Sequence, residues 1–113
     1  MASQRVEKHF GVLEYLKDLS SSEQKKFIAG ASCELLKTIS EICLNLLKGT
    51  IELKPGDLNK LKKYKTQIVS LSKRKPSTKQ RRQICMQKGG FIGSLLSLVV
   101  PSIISAIVTA TQR

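Results

Sequence analysis

The sequence is poor in aromatic residues: it contains no Trp, three Phe and two Tyr among its 113 residues. Its core must therefore be built mainly from Leu, Ile and Val. A chain of this length has room for one domain at most, and the apolar C-terminal stretch need not belong to the core of that domain. We therefore do not expect a large active-site cleft.

Residues suited to catalysis or metal binding are also scarce. The single histidine, His9, lies in a charged stretch near the N-terminus, where we expect it to be solvated. The three cysteines, Cys33, Cys43 and Cys85, are odd in number and lack the close spacing of a disulfide framework or a tetrahedral zinc site. We expect each of them to be a small buried apolar group. Gly89-Gly90 lacks the sequence context of a phosphate-binding loop. We predict no enzymatic activity, no metal and no cofactor.

Acidic residues are absent after Asp57, and this absence divides the chain by charge. Residues 1–57 contain eight Asp or Glu and eight Lys or Arg, and they sum to zero. Residues 58–88 contain eleven Lys or Arg and no acid, and residues 89–112 contain no ionisable side chain. The net charge of +12 is therefore those eleven charges plus Arg113. We call the three parts the head (1–57), the basic segment (58–88) and the tail (89–113).

The head has the apolar periodicity of two helices that form a hairpin. Apolar residues recur at three- and four-residue spacing over 6–19 and again over 27–47. The sequence at Ser20–Glu23 fits a capping box that begins the second helix. Gly30 is expected to kink or divide this helix, and Gly49 is expected to end it.

The sequence predicts two further helices in the basic segment and an apolar helix in the tail. Turn residues at 55–57, with Asp57 as the N-cap, precede a third helix over 58–71, whose face would include Leu58. Lys73–Pro76 ends that helix, and Ser77–Gln80 fits a second capping box that begins a short basic helix. No strand pattern appears. The predicted fold is therefore all-α, with a helical hairpin, a third basic helix, a short basic helix and an apolar C-terminal helix.

The cations of the basic segment indicate a polyanion partner. Runs of charge are usually solvated surface, but a surface adapted only for solubility mixes both signs, and like charges without counterions repel one another. Double-stranded DNA is the natural partner, since cations that replace its condensed counterions gain affinity. If about six to ten of the charges contact phosphates, affinity should fall about 10³- to 10⁵-fold between 50 and 200 mM salt. The predicted DNA-binding residues are Lys60, Lys62, Lys63, Lys65, Lys73, Arg74, Lys75, Lys79, Arg81, Arg82 and Lys88.

We do not expect these residues to read a DNA sequence. Most are Lys, which acts as a point charge on phosphate, whereas bidentate contacts to bases come from Arg, Asn and Gln. Aromatic residues that could stack on single-stranded bases are not interleaved with the charges, since Tyr64 stands alone. The clusters Lys73–Lys75 and Arg81-Arg82 also fit a nuclear import signal, a pattern common in basic proteins.

The tail offers three interpretations. Its segment Phe91–Ala110 is twenty residues long, enough to span a bilayer as a helix, although Pro101 would kink or interrupt it. Small residues share a stripe that suits close packing against a membrane helix or a partner protein. The third interpretation is that the tail is simply the core helix of a larger fold, since a long apolar segment is costly to leave in water. On a helical wheel that stripe consists of Ser94, Ser97, Pro101, Ser105 and Thr109, opposite Leu96, Val99, Val100, Ile103 and Ile107.

A resemblance to a known family rests on the junction of the basic segment and the tail. Met86–Phe91 joins basic residues to paired glycines and an apolar stretch, and the chain also carries the helix end Glu41–Gly49 and the turn Leu53–Pro55. With the basic run and the tail, these features resemble the small basic proteins of Polinton (Maverick) elements and adintoviruses. Those proteins are similar to the adenovirus core protein X (mu) precursor. The resemblance covers about Cys33 to Arg113.

The resemblance implies a virion component that condenses a double-stranded DNA genome, contacts capsid protein and resides in the virion core and the host nucleus. It also implies processing by a viral cysteine protease, with a candidate site at Gln87-Lys88-Gly89-Gly90 that would be cut before Phe91. Gln87 departs from the Met, Leu or Ile preferred there. The adenovirus peptide is richer in Arg and lacks the balanced head, whose role in self-association or capsid docking is left open. A membrane-active or membrane-anchored protein is the alternative function.

Overall fold

A computed structural model of the chain describes residues 4–73, 75–87 and 90–111, with side chains from 5 to 104 within those ranges. The described residues form helices and no strand, which confirms the predicted all-α fold. The helices are α1 (Gln4–Lys8), α2 (Phe10–Lys17), α3 (Ser21–Ala29), α4 (Cys33–Lys48), α5 (Pro55–Leu61), α6 (Lys65–Ser72), α7 (Thr78–Met86) and α8 (Phe91–Thr111), with a 3₁₀ turn at Lys62–Tyr64.

Both predicted capping boxes are confirmed. Ser20 Oγ accepts a hydrogen bond from the Glu23 backbone N–H at 3.2 Å, and the Ser20 N–H donates to Glu23 Oε1 at 3.1 Å. The equivalent distances at α7 are 3.2 Å to Ser77 Oγ and 2.8 Å from the Ser77 N–H to Gln80 Oε1. Because each pair satisfies two backbone N–H groups, the starts of α3 and α7 are fixed by local sequence.

The two helices predicted for the head are each divided in two. The first is interrupted at His9, between α1 and α2. The second ends at Ala29, and Ser32 begins α4 by accepting a hydrogen bond from the Leu35 N–H at 3.1 Å. Gly49 ends α4 in the left-handed conformation with φ 79°, as its sequence position predicted.

The third predicted helix begins earlier than expected. Lys54 occupies the N-cap position of α5 and Pro55 its first turn, so the prediction of Asp57 as N-cap is wrong. Proline suits this position, since its φ is already helical and its missing N–H would have no partner there. Leu58 is 45% exposed, which corrects its assignment to the buried face. The buried face is formed by Leu61, Tyr64, Ile68 and Leu71.

The tail belongs to the core. Phe91, Leu95, Leu96, Val99 and Val100 are fully buried, and α8 packs against α2, α3, α5 and α7. Of the three interpretations of the tail, a helix that packs in the protein core is the one that the structure shows for residues 91–104. Burying such an apolar face stabilises the domain by roughly 25 cal/mol for each Å² removed from water.

Pro101 does not interrupt α8, which corrects the expected break. It lies at an exposed position, and so does Ser97, the residue whose carbonyl Pro101 cannot bond. Water can satisfy that carbonyl, which explains why proline is tolerated here.

Among the described residues, no single helix combines the length and hydropathy needed to cross a membrane. Thr78–Met86 and Phe91–Ile104 pass the test only as a pair, and they are bent by 96°.

The head, the basic segment and the tail all contribute to one hydrophobic cluster. Helix α4 of the head packs on α6 and α7 of the basic segment, while α2 of the head packs on α8 of the tail. The division by charge therefore does not coincide with a division of the core.

Candidate nucleic-acid interface

The lysines of the basic segment are exposed wherever the structure describes them. Lys60, Lys62, Lys63 and Lys65 follow one another along α5, the 3₁₀ turn and the first residue of α6; Lys73, Lys75 and Lys79 lie around the connection from α6 to α7. Helices and a short connection therefore place seven predicted DNA-binding residues in contact with solvent. Arg74 and Lys88 lie outside the described residues.

The head uses its charges differently. Arg5 lies 3.4 Å from Glu34 and 3.8 Å from Glu41, and Lys17 lies 3.0 Å from Asp18. Within the described part of the chain, the recorded ion pairs all join two head residues. The lysines of the basic segment that the structure describes are exposed, and the segment contains no acidic residue.

The two described arginines of the basic segment, which were predicted to contact phosphates, form hydrogen bonds within the fold. Arg82 Nε donates to the Ile28 carbonyl oxygen at 3.3 Å, and Nη2 donates to the Ala31 carbonyl oxygen at 2.7 Å. Ile28 lies in the last turn of α3 and Ala31 lies two residues beyond its end, where the negative end of the helix dipole favours a cation. Arg81 Nε donates to Ser40 Oγ on α4 at 3.1 Å. Both arginines therefore join α7 to the head.

A groove between α6 and α7 brings two of the lysines together. It has a volume of about 430 Å³, and no acidic or aromatic residue is among the residues that line it. Three glutamines on or directly after α7 line it at spacings of three and four residues, so they share one face of that helix. The lining residues are Ser70, Lys73, Lys75, Pro76, Gln80, Gln83, Ile84 and Gln87.

A second groove of similar size, about 440 Å³, lies beside α8. It also contains two lysines, Lys17 and Lys60, but Lys17 forms the ion pair with Asp18. The second groove is therefore the less positive of the two. Its other lining residues are Leu19, Ser21, Gln24, Gly90, Gly93, Ser94, Ser97 and Leu98.

Tyr64 is unsuited to stacking on bases. The residue is 3% exposed, and its ring centroid lies 5.5 Å from that of Phe91 in the core. Lys63 Nζ lies 5.2 Å from the Tyr64 ring centroid, a cation–π distance. Since the tyrosine packs inside the domain, the described part of the basic segment offers charge and amides to a ligand.

Two of the three cysteines are buried as expected, and the third is not. Cys43 on α4 and Cys85 on α7 are buried, and burial in an apolar environment raises the pKa of both thiols, that of Cys85 to about 12. Such thiols are inert at neutral pH. Cys33 is exposed and accepts a hydrogen bond from Thr78 Oγ1 at 3.1 Å, which corrects its predicted burial.

The described residues contain no group of three or more His, Cys, Asp or Glu side chains that could hold a metal. His9 is partly buried rather than solvated. Its Nδ1 lies 2.9 Å from the Arg5 carbonyl oxygen and 3.3 Å from Thr38 Oγ1.

The candidate processing site is only partly accessible. Gln87 is exposed, whereas Phe91 is fully buried, and the Ser94 N–H donates to the Gly90 carbonyl oxygen at 2.9 Å as α8 begins. Lys88 and Gly89 lie outside the described residues. A protease that cuts before Phe91 must therefore act on a chain in which the start of α8 has opened.

Comparisons with known proteins give no relative: no family model, no curated protein and no solved structure matches this chain.

The α6–α7 groove and the structural role of the arginines were missed by the sequence analysis. A sequence signal for the groove did exist, since Gln80, Gln83 and Gln87 recur at helical spacing on an otherwise basic helix. No local signal distinguishes Arg82 from the neighbouring lysines, because its partners Ile28 and Ala31 are more than fifty residues away.

Proposed function

We propose that this protein is a structural DNA-binding protein that coats and condenses double-stranded DNA without reading its sequence. The observation that carries the proposal is the set of exposed lysines in a segment that has no acidic residue. The recorded ion pairs of the described residues lie in the head, and the exposed lysines Lys60, Lys62, Lys65, Lys73, Lys75 and Lys79 face solvent, where a polyanion could bind.

The chemistry of the exposed groups favours phosphate over bases. Lysine ammonium groups bind phosphates as point charges, and most of the affinity arises from counterions released from the DNA. The described arginines, which could form bidentate contacts to guanine, donate to Ser40 and to the end of α3 instead. Binding through the DNA backbone is therefore expected to dominate.

The proposal extends to a role as a viral or virus-like core protein in the virion and host nucleus, which rests on the resemblance at Glu41–Gly49, Leu53–Pro55 and Met86–Phe91. Contact with capsid protein through the apolar face of the tail would require α8 to leave the core, since residues such as Leu96 and Val99 are fully buried. The exposed surfaces of the head are the more accessible candidates for capsid contact or self-association.

A mobility-shift experiment with duplexes of unrelated sequence, across a salt series, tests the DNA-binding proposal. We expect similar affinity for every duplex and a fall of roughly 10³- to 10⁵-fold between 50 and 200 mM salt if six to ten phosphates are contacted. Binding that is independent of salt, or that requires one sequence, would contradict the proposal.

Liposome flotation tests the membrane alternative. A membrane-anchored protein would float with anionic liposomes in the absence of nucleic acid, and the tail would be protected from protease. The DNA-binding proposal predicts that the folded protein keeps α8 in its core and that any electrostatic adsorption to anionic liposomes is lost at high salt.

A further inference from the structure

We infer that the α6–α7 groove, defined above by its eight lining residues, binds one sugar-phosphate strand of the DNA. This inference rests on the proposed DNA-binding function and narrows it. It assigns the principal contact to Lys73, Lys75 and the glutamine row of α7 rather than to the basic segment as a whole.

The charge of the groove supports the assignment. Lys73 and Lys75 line it together with no acidic neighbour, and both are exposed. The groove beside α8 is its natural comparison, because it has nearly the same volume and also contains two lysines. There Lys17 lies 3.0 Å from Asp18, which leaves Lys60 as the lysine of that groove without a recorded ion pair among the described residues. An anion should therefore prefer the α6–α7 groove.

The amides of the groove define the class of ligand more closely. Gln80, Gln83 and Gln87 are exposed and lie on one face of α7, where their N–H groups can donate to phosphate and sugar oxygens. Gln80 Oε1 already accepts the Ser77 N–H of the capping box, so this side chain is held in place while its amide nitrogen can donate. Two point charges beside a row of amide donors, one of them held by the capping box, match a phosphodiester strand.

Hydrogen bonds on the far side of α7 hold this wall of the groove against the head. Arg81 and Arg82 hold α7 against Ser40 and the end of α3, on the side of the helix that faces the head. The glutamines of the same helix thus line the groove while its arginines secure the helix. A ligand that binds there loses little freedom in the protein, because the site is already formed.

A pair of double variants tests the inference. Lys73→Gln/Lys75→Gln removes two groove cations, and Lys25→Gln/Lys26→Gln removes two exposed cations from α3, so the net charge changes equally. We expect the groove variant to lower the affinity for a random-sequence duplex on the order of 10- to 100-fold at 0.1 M salt and to reduce the salt slope by about two. The α3 variant should change affinity by less than about threefold, because its charges act only through a screened field.

The outcomes separate the inference from the proposed function. If the wild-type protein binds DNA but both double variants weaken binding equally, the groove assignment fails and the DNA-binding function stands. If the wild-type protein does not bind any duplex in dilute salt, both fail. If polyglutamate displaces the duplex as effectively per charge as unlabelled DNA does, the groove is a site for an acidic polypeptide and the inference is overturned.

A second pair of variants adds a negative charge instead of removing a positive one. Gln83→Glu places a carboxylate in the α6–α7 groove, and Ser97→Glu places one in the α8 groove, at exposed positions in both cases. We expect Gln83→Glu to weaken binding at least fivefold more than Ser97→Glu does, with matching circular dichroism spectra and unfolding midpoints showing that both variants are folded. Equal effects would contradict the assignment.

Side-chain amide signals in NMR spectra provide a readout that needs no mutation. On titration with duplex DNA, the NH₂ signals of Gln83 and Gln87 should shift, whereas that of Gln24 in the other groove should not. Gln24 is buried and donates to the Leu16 carbonyl oxygen at 3.1 Å, so it serves as an internal control. Shifts centred on Gln24 would place the DNA in the groove beside α8 and would contradict the inference.

Discussion

The head and the basic segment differ in how they use their charges, although they share one core. In the head, cations equal anions in number and several pair across short distances, as Arg5 does with Glu34. In the basic segment, lysines are exposed without an acid in their own part of the sequence, while the arginines Arg81 and Arg82 bond to the head. Charge segregation along a sequence therefore need not mean separate domains.

The different roles of arginine and lysine in the basic segment follow from their side-chain chemistry. Guanidinium groups present several donors in a fixed plane, which suits them to the carbonyls at the end of a helix. Ammonium groups are compact and strongly hydrated, so they stay at the surface. The same run of positive charge thus supplies both attachment to the head and a surface for an anion.

The largest effect on the free energy of unfolding is expected from shortening one buried side chain of α8. This substitution tests whether the tail shares a core with the head and the basic segment. Leu96→Ala removes a fully buried side chain of α8 and should lower the free energy of unfolding by about 2–5 kcal/mol. Ile104→Ala, at a position on the same helix that is 40% exposed, should lower it by much less. Chemical denaturation followed by circular dichroism measures both. Equal, small effects would show that α8 does not belong to the core.

The next largest effect on stability is expected when an arginine of α7 is replaced, and a lysine of the same helix provides the comparison. Arg82→Met keeps an apolar stem but removes the donors to the carbonyls of Ile28 and Ala31, and should lower the free energy of unfolding by about 1–3 kcal/mol. Lys79→Met removes the same charge from an exposed position and should change stability by less than about 0.5 kcal/mol.

The same two variants should show the reverse order in DNA binding. Measured under conditions where both are folded, Lys79→Met should weaken binding more than Arg82→Met does, since Lys79 is the exposed cation. If Arg82→Met leaves stability unchanged and weakens binding more, the arginine contacts phosphate and the different roles given to arginine and lysine are wrong.

A further effect, which appears only at high pH, concerns the contact between the head and the basic segment, where Cys43 of α4 and Cys85 of α7 are buried. The pKa of the Cys85 thiol is raised from 9.0 to about 12 by burial. Above about pH 9 the thiol loses its proton in the unfolded chain but keeps it in the folded protein. The contribution of this thiol to the free energy of unfolding is therefore constant below that pH and falls as the pH rises towards 12. The slope contributed by this thiol approaches about 1.4 kcal/mol per pH unit.

Cys85→Ala should remove that contribution. The difference in unfolding free energy between wild type and Cys85→Ala should therefore shrink as pH rises from 8 to 11, because lysine and tyrosine titration affects both proteins alike. Stability curves that stay parallel over this range would show that the thiol is not buried at this contact.

Local sequence was sufficient to predict the helix boundaries that depend on capping. Ser20–Glu23, Gly49 and Ser77–Gln80 all act within one helical turn of the residues they cap, so their interactions need no tertiary context. The start of α5 was wrongly predicted because Asp57 is a good N-cap in isolation, yet Pro55 is suited to the first turn and takes precedence.

Local sequence could not predict where the tail packs, nor which cations of the basic segment bond to the head and which stay exposed. The wheel of α8 showed an apolar face at Leu96 and Val99, but the same face would suit a membrane, a partner or the core. Only the packing of α8 against α2 decides between them for residues 91–104. Likewise, the sequence does not show which cation of α7 bonds to the head, because the partners of Arg82, Ile28 and Ala31, come close to it only in the fold.

The difference between head and basic segment can be measured most directly with two fivefold variants of equal net charge. One replaces Lys62, Lys65, Lys73, Lys75 and Lys79 with Gln, and the other replaces Lys8, Lys25, Lys26, Lys48 and Lys54, which are also exposed. The measurement is the slope of log affinity against log salt for a random-sequence duplex. The basic-segment variant should lose about four to five units of slope if all five lysines contact phosphates, and the head variant less than about one. Equal losses in the two variants, or none in either, would contradict the account.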